Sequence, residues 1–351
     1  MSMISQSVLE EFAPLVNLHP YDMHRPVCIS NFLYQTNPAL YLYDSGGNIL
    51  AKDISYQILS DEKYNQEGNY LGYPSDDDYP TASKDYQTGD PLTSDGTSPA
   101  HMYVKVLDKD KYYNLVYVMF YVINGFQLFR IEIDDYISSK KHANFEWARF
   151  ARHGADVEHV TVSIDKDATK VLGAYYSQHS GSLWIQNPPK QDNHVIVYSA
   201  WNSHANYCSP CDTNLNPGNL PIPDMPPIRW MEIIDTTEVK DSKHDKDYSY
   251  GMPSPYYDNP LWKPWESNGQ VVNVDEDQAC IDFFNFKGHY GPNPLDNTHI
   301  DTPPDMPEDA HKILFVEAKI IEPLLPSSII KCPGPESPQY QHGGWWADLE
   351  A

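Results

Sequence analysis

Asp156 and Glu158 stand two residues apart in the segment HGADVEHVTV, which otherwise reads as a strand. In an extended chain alternate residues share a face. Asp156, Glu158, Val160, Val162 and Ile164 therefore lie together. The three apolar members must face a core, and the two carboxylates continue that inward stripe toward the start of the strand. A carboxylate on an inward stripe needs a partner: water at a rim, an arginine, or a metal ion. An Asp and a Glu at this spacing can reach one cation, and Ca²⁺, Mg²⁺ or Mn²⁺ prefers such oxygen ligands. His153 would add an imidazole, which makes His153, Asp156 and Glu158 the expected metal set. His159 falls on the opposite face and is not expected to bind the same ion directly. The competing reading is a salt-bridged or solvent-facing strand end.

Two further segments each put a Ser and a His just past a strand end. They are Tyr175-Tyr176-Ser177-Gln178-His179-Ser180-Gly181, and Trp201-Asn202-Ser203-His204-Ala205-Asn206-Tyr207 after the run Val195–Ala200. If the three strands are neighbours, His179 and His204 line one rim with the acidic pair. Imidazole suits proton transfer near neutral pH, so His159, His179 and His204 are the candidate general acids or bases. The alternative is histidines hydrogen-bonded to loop backbone. Cys208-Ser209-Pro210-Cys211 has no second CxxC to complete a four-cysteine zinc site. It runs into a Pro-rich loop, and free thiols are the expected state. The chain has no Walker loop, GxGxxG, HExxH or GxSxG.

The elements that must position these residues are strands. The chain of 351 residues holds 26 Tyr and 30 Pro. Tyr favours half-buried sheet faces, and Pro is excluded from helix interiors and central strands. Strands are expected at 40–44, Met102–Leu107, Tyr112–Ile123, Phe126–Ile133, Val157–Ile164, Val171–Gln178, Val195–Ala200, 280–286 and 313–322. Asn124-Gly125 is a favoured dipeptide for a tight hairpin turn and is expected to join its two flanking strands. Residues 5–12 suit a short helix. The segments 60–100 and 208–268 read as long loops, and 323–351 as a Pro/Gly-rich tail. The expectation is one all-β domain over 1–351, a β-sandwich with long irregular loops and a few short helices, its core between about 12 and 322.

The formal net charge of -25 excludes a nucleic-acid-binding role built on counterion displacement. It also opposes docking on anionic bilayers unless divalent cations bridge the surfaces. No apolar run is long enough to span a membrane. The first residues lack a basic n-region and an apolar h-region, so a cytoplasmic protein, or one secreted by a route without a signal peptide, is expected. Five scattered Cys fit a reducing compartment.

The motifs then become recognisable together. FAPLVNLHP (12–20), ADVEHVTV (155–162), YYSQHSGS (175–182), VIVYSAWNSHANY (195–207) and FKGHYGP (286–292) resemble, in the same order, the pattern of the vacuolar protein sorting-associated protein 62 family. The chain is also distantly similar to the necrosis-inducing, cytolytic toxins of plant pathogens. Those toxins carry a GHRHDWE heptapeptide on a β-sandwich, and its first His, Asp and Glu help hold a divalent cation used at a membrane glycolipid. That resemblance implies Asp156 and Glu158 as ligands and places the first His on His153. Arg152, Gly154, Ala155 and Val157 depart from the heptapeptide, including at its Trp. Three functions stay open on the sequence. One is a metal-dependent sandwich binding a membrane surface, glycan or small ligand. The second is a metal-dependent enzyme of hydrolase, lyase or cyclase type with a histidine as acid or base. The third is a trafficking or scaffold protein.

Overall fold

The computed structural model describes residues 4–19, 22, 24–34, 39–73, 89–124, 128–133, 142–146, 153–178, 181–210, 212–215, 228–236, 261–266 and 270–291. The first elements are α1 (Gln6–Glu11), β1 (Leu15–Asn17), α2 (Ile29–Leu33), β2 (Tyr41–Tyr43), β3 (Ile49–Ala51), α3 (Tyr56–Ser60) and β4 (Tyr70–Gly72). The long strands follow: β5 (Met102–Asp108), β6 (Tyr112–Asn124), β7 (Leu128–Ile133), β8 (His142–Glu146), β9 (His153–Asp165), β10 (Val171–Gln178) and β11 (Gly181–Ile185). The chain continues through β12 (Lys190–Gln191), β13 (His194–Ser199), β14 (Asn206–Tyr207), β15 (Asp212–Leu215) and β16 (Ile228–Thr236). It ends, among the described residues, with β17 (Leu261–Trp262), β18 (Val271–Asn273) and α4 (Gln278–Phe284).

The fold is the all-β sandwich expected from the sequence. Its central sheet runs β11-β10-β9-β6-β5-β18, and the facing sheet runs β12-β13-β1-β17 with β14 beside β13. Val160, Val162, Ile164, Tyr117 and Met119 of the central sheet pack with Val16, Val195, Val197 and Trp262 of the facing sheet. The other side of the central sheet carries Val116, Val118, Phe120 and Val157, packed against Phe32, Leu59 and Phe283 of the helices and Leu42 and Leu71 of a small sheet β3-β2-β4. β6 is thus covered on both faces. That is why its sequence is a near-continuous apolar run instead of an alternating one.

Three expectations are corrected. The Asn124-Gly125 hairpin does not form: β6 is paired with β5 and β9, whereas β7 is paired with β8 and β16. Both edges of β6 are taken, so β7 has no edge there to join, and Gly125 itself lies outside the described residues. The expected strand at 280–286 is instead α4. Asp277 caps it by accepting from Ala279 N and Cys280 N, and Cys280, Phe283 and Phe284 bury at helical spacing. The stretch 208–268, expected as loop, carries β15, β16 and β17; β15 pairs with β16 inside the stretch, whereas β16 also pairs with the remote β7, and β17 with the remote β1. The expected strand at 313–322 and the tail lie outside the described residues. No described helix is long and apolar enough to cross a membrane.

Candidate functional site

The start of β9 is irregular. Ile123 pairs with both Gly154 and Ala155, and Ala155 has φ of 56°. Such bulges re-aim side chains beside functional sites. A Cβ on Gly291 would stand 2.0 Å from Gly154 O, so only glycine lets that turn close over the bulge. Strict alternation therefore does not carry across from His153 to Asp156. Beyond the bulge the alternation is regular. Asp156 pairs with Tyr121 and shares the sandwich-facing side with Val160 and Val162, while Val157 faces the helices.

His204 comes to this face from the turn between β13 and β14. That turn is tight: Ala200 N donates to Ala205 O at 2.9 Å and His204 N to Ala200 O at 3.1 Å. Asn202 and His204 both adopt left-handed backbone, with φ of 62° and 54°. Left-handed backbone is unusual for a non-glycine residue and persists where surrounding contacts over-determine it. Here the contacts are strong. His204 Nδ1 lies 2.8 Å from Asp156 Oδ2, and Nε2 lies 3.4 Å from Asp22 Oδ2, an ion-pair distance. The ring stacks on Tyr121 with centroids 3.8 Å apart and planes 5° from parallel. His24 meets it edge-on at 6.5 Å.

Asp22 is set by backbone. Its Oδ1 accepts from His24 N at 2.8 Å and its Oδ2 from Asn202 N at 3.0 Å. One carboxylate thus ties the segment after β1 to the His204 turn. Asp22, His24, Asp156 and His204 are all buried. Burial alone would drive His204 toward neutrality. The charge of Asp22 and the hydrogen bond to Asp156 outweigh it and raise the ring to about 10. Burial likewise disfavours charge on Asp22, but the neighbouring His204 and His24 hold its carboxyl below the usual range. His204 is therefore a buried imidazolium clamped between Asp156 and Asp22, and the charges of His204 and Asp22 support one another.

Glu158 points along the same side into a polar cluster. Ser177 Oγ donates to Glu158 Oε2 at 2.7 Å, and Asn206 Nδ2 approaches the same oxygen at 3.4 Å. Asn206 Nδ2 also reaches Ser177 Oγ and His159 O, at 3.2 Å and 3.3 Å. β14 is thereby pinned across β10 and β9. His159 lies on the helix-facing side, as alternation requires, and is buried. Burial pushes its ring down to about 3, so it is neutral at ordinary pH.

The structure thus brings Asp156, Glu158 and His204 to one place and puts His159 behind them. The side chain of His153 and the whole of His179 lie outside the described residues. Cys208 is a free thiol, and Cys211 lies outside the described residues. The sequence reading missed Asp22, His24, Tyr121 and Asn206. A signal for the first two existed: the polar run after His19-Pro20 follows an apolar segment that must enter the core. Asp22 and Asp156 flank His204, and Glu158 lies two residues further along the same side of β9. Among the described residues, no three of His, Cys, Asp and Glu converge as a group able to hold an ion. A cation here would need a further ligand, or a turn of the carboxylates away from their present partners.

Three solved structures are similar at a distance. Necrosis and Ethylene inducing Protein 2 from the causal agent of cocoa's Witches Broom disease is 18% identical, over 60% of this chain and 70% of that one, with a TM-score of 0.29. The non-toxic HaNLP3 protein is 11% identical, over 73% and 80%, with a TM-score of 0.28. NLPPya in complex with mannosamine is 11% identical, over 68% and 73%, with a TM-score of 0.25. At these scores the likeness carries no argument about the site. No curated protein matches. The model of the family described as vacuolar protein sorting-associated protein 62 matches residues 2–219, a span holding Asp22, Asp156, Glu158 and His204 with the bulge and turn that present them. The chain belongs to the vacuolar protein sorting-associated protein 62 family.

Proposed function

We propose that this protein is a ligand-binding β-sandwich whose site is the front of β9, used with a divalent cation. The observation that carries the reading is the excess of acidic groups there: Asp22 and Asp156 flank a single histidine, His204, and Glu158 lies two residues further along the same side of β9. Such an excess is stabilised by a further positive charge, and oxygen donors select a hard ion such as Ca²⁺, Mg²⁺ or Mn²⁺. Asp156, Glu158 and His153 are the residues that would hold it. The bound ion would supply the positive charge that lets an acidic protein meet sugar hydroxyls or a lipid phosphate. The chain's own groups do the rest. His204 and Val157 N orient Asp156, while Ser177 and Asn206 orient Glu158. Outer partners of this kind fix the direction of a ligand carboxylate.

The charge state of His204 favours binding over catalysis by this ring. A histidine raised to about 10 is already protonated at neutral pH and cannot serve there as a base. His159, held neutral by burial near 3, is a weak base on the opposite face.

Calorimetric titration of Ca²⁺, Mg²⁺ and Mn²⁺ tests the reading. The double variant Asp156→Asn with Glu158→Gln keeps side-chain shape and removes charge, and it is expected to abolish the binding heat. Vesicles and soluble glycans, each with and without chelator, then separate the ligand classes. Heats unaltered by the double substitution would remove the cation from the proposal.

A further inference from the structure

The described free thiols sit in three different surroundings. Cys280 is buried in α4, and burial and Asp277 push its thiol far up. Cys208 is half-buried. Cys28 precedes α2 on the helix-facing side of the central sheet, and its Sγ lies 2.8 Å from Ser30 Oγ and 3.6 Å from His101 Nδ1. Its backbone is fixed on all sides. Cys28 N donates to Asp90 Oδ2 at 2.8 Å, Ile29 N donates to the Tyr103 hydroxyl at 2.8 Å, and Asn31 Nδ2 donates to Asp90 Oδ1 at 2.7 Å. A thiol held beside an imidazole is the arrangement in which the sulfur proton passes to nitrogen. None of these residues touches the His204 site.

We propose that Cys28, paired with His101, is a reactive thiolate that a small hydroperoxide oxidises to a sulfenic acid. The thiolate lone pair attacks the terminal peroxide oxygen and forms the S–O bond as the O–O bond breaks. Sulfur is oxidised and the peroxide is reduced. The departing oxygen takes the proton from His101 Nδ1 and leaves as water, or as an alcohol from an alkyl hydroperoxide. Only 7% of Cys28 is exposed, so a compact oxidant is selected over a bulky disulfide. Burial works against the thiolate, but the hydrogen bonds from His101 and Ser30 outweigh it and bring the thiol down to about 7. The other titratable groups around the sulfur are Asp90 on the backbone side, Tyr56 of α3, Tyr103 of β5, and Cys280 and Asp277 of α4. Both tyrosines are pushed up by burial and stay neutral through this range.

A brief pulse of iodoacetamide at pH 7 on the full chain, read by peptide mass spectrometry, tests the pair. Cys28 is expected to label faster than the more exposed Cys208, and about tenfold or more faster than Cys280. His101→Gln should slow Cys28 by about tenfold and leave Cys208 unchanged, which also reports that the fold is intact. Ser30→Ala should shift the pH midpoint of Cys28 labelling upward. Hydrogen peroxide followed by dimedone should place the adduct on Cys28. Labelling of Cys28 no faster than Cys280, or a rate indifferent to His101→Gln, overturns the proposal. So does a dimedone adduct on Cys208 alone.

Discussion

The two sides of β9 near its start treat a buried histidine in opposite ways. On the sandwich side His204 meets two carboxylates and is raised to about 10; on the helix side burial lowers His159 to about 3. Both rings are shielded from water, so burial alone does not set the outcome. The partners do. Asp22 and Asp156 supply His204 with charge that more than offsets its desolvation, whereas desolvation is the cause that moves His159. One strand thus separates a charged polar centre from an apolar core by the thickness of its own backbone.

The sharpest way to break this contrast is to remove the central cation. His204→Ala leaves Asp22 and Asp156 buried against one another, and a loss of about 3–5 kcal/mol is expected in urea unfolding. His204→Gln should recover part of it through hydrogen bonding.

The pH profile of stability should carry both histidines with opposite signs. The folded pKa of His204 lies above its unfolded value of 6.5, so its contribution is complete below about 6.5 and is lost as pH rises toward 10. The folded pKa of His159 lies below 6.5, so its contribution is complete above that value and is lost as pH falls toward 3. Unfolding midpoints across pH should therefore fall on both sides of neutrality. His204→Gln should flatten the alkaline limb and His159→Gln the acid limb. Limbs that do not separate in this way would show that the two faces share one electrostatic environment.

Asn206→Ala removes the amide that joins Glu158, Ser177 and the His159 carbonyl across the two sheets. A loss of about 1–3 kcal/mol is expected, along with weaker cation binding if Glu158 is a ligand. The smallest effect is expected from Tyr121→Phe, which keeps the ring stacked on His204 and should change stability by less than about 1 kcal/mol. Tyr121→Leu should exceed it, because the ring face itself is lost.

Much of this was legible locally. Alternation along ADVEHVTV placed Asp156 and Glu158 on one side of β9 and His159 on the other, and the strand folds that way because Val160 and Val162 must enter the sandwich core. His204 was singled out by its position past a strand end. What stayed hidden was long-range. Asp22 lies far from Asp156 in the chain, and only the parallel pairing of β1 with β13 sets the segment after β1 beside the His204 turn. Asn124-Gly125 misled for a related reason. A turn dipeptide states a local preference, but whether a hairpin forms depends on a free neighbouring edge, and β5 and β9 had taken both.

By itself the sequence determined the periodic elements: the continuous apolar run of β6, the alternation of β9, the acidic pair, and the composition that favours strands over helices. Those features follow from side-chain type and spacing along one segment. Tertiary structure alone decided the charge at the centre. An imidazole becomes a buried cation only when two carboxylates from separate segments close on it, and neither spacing nor composition records a contact made across the sandwich.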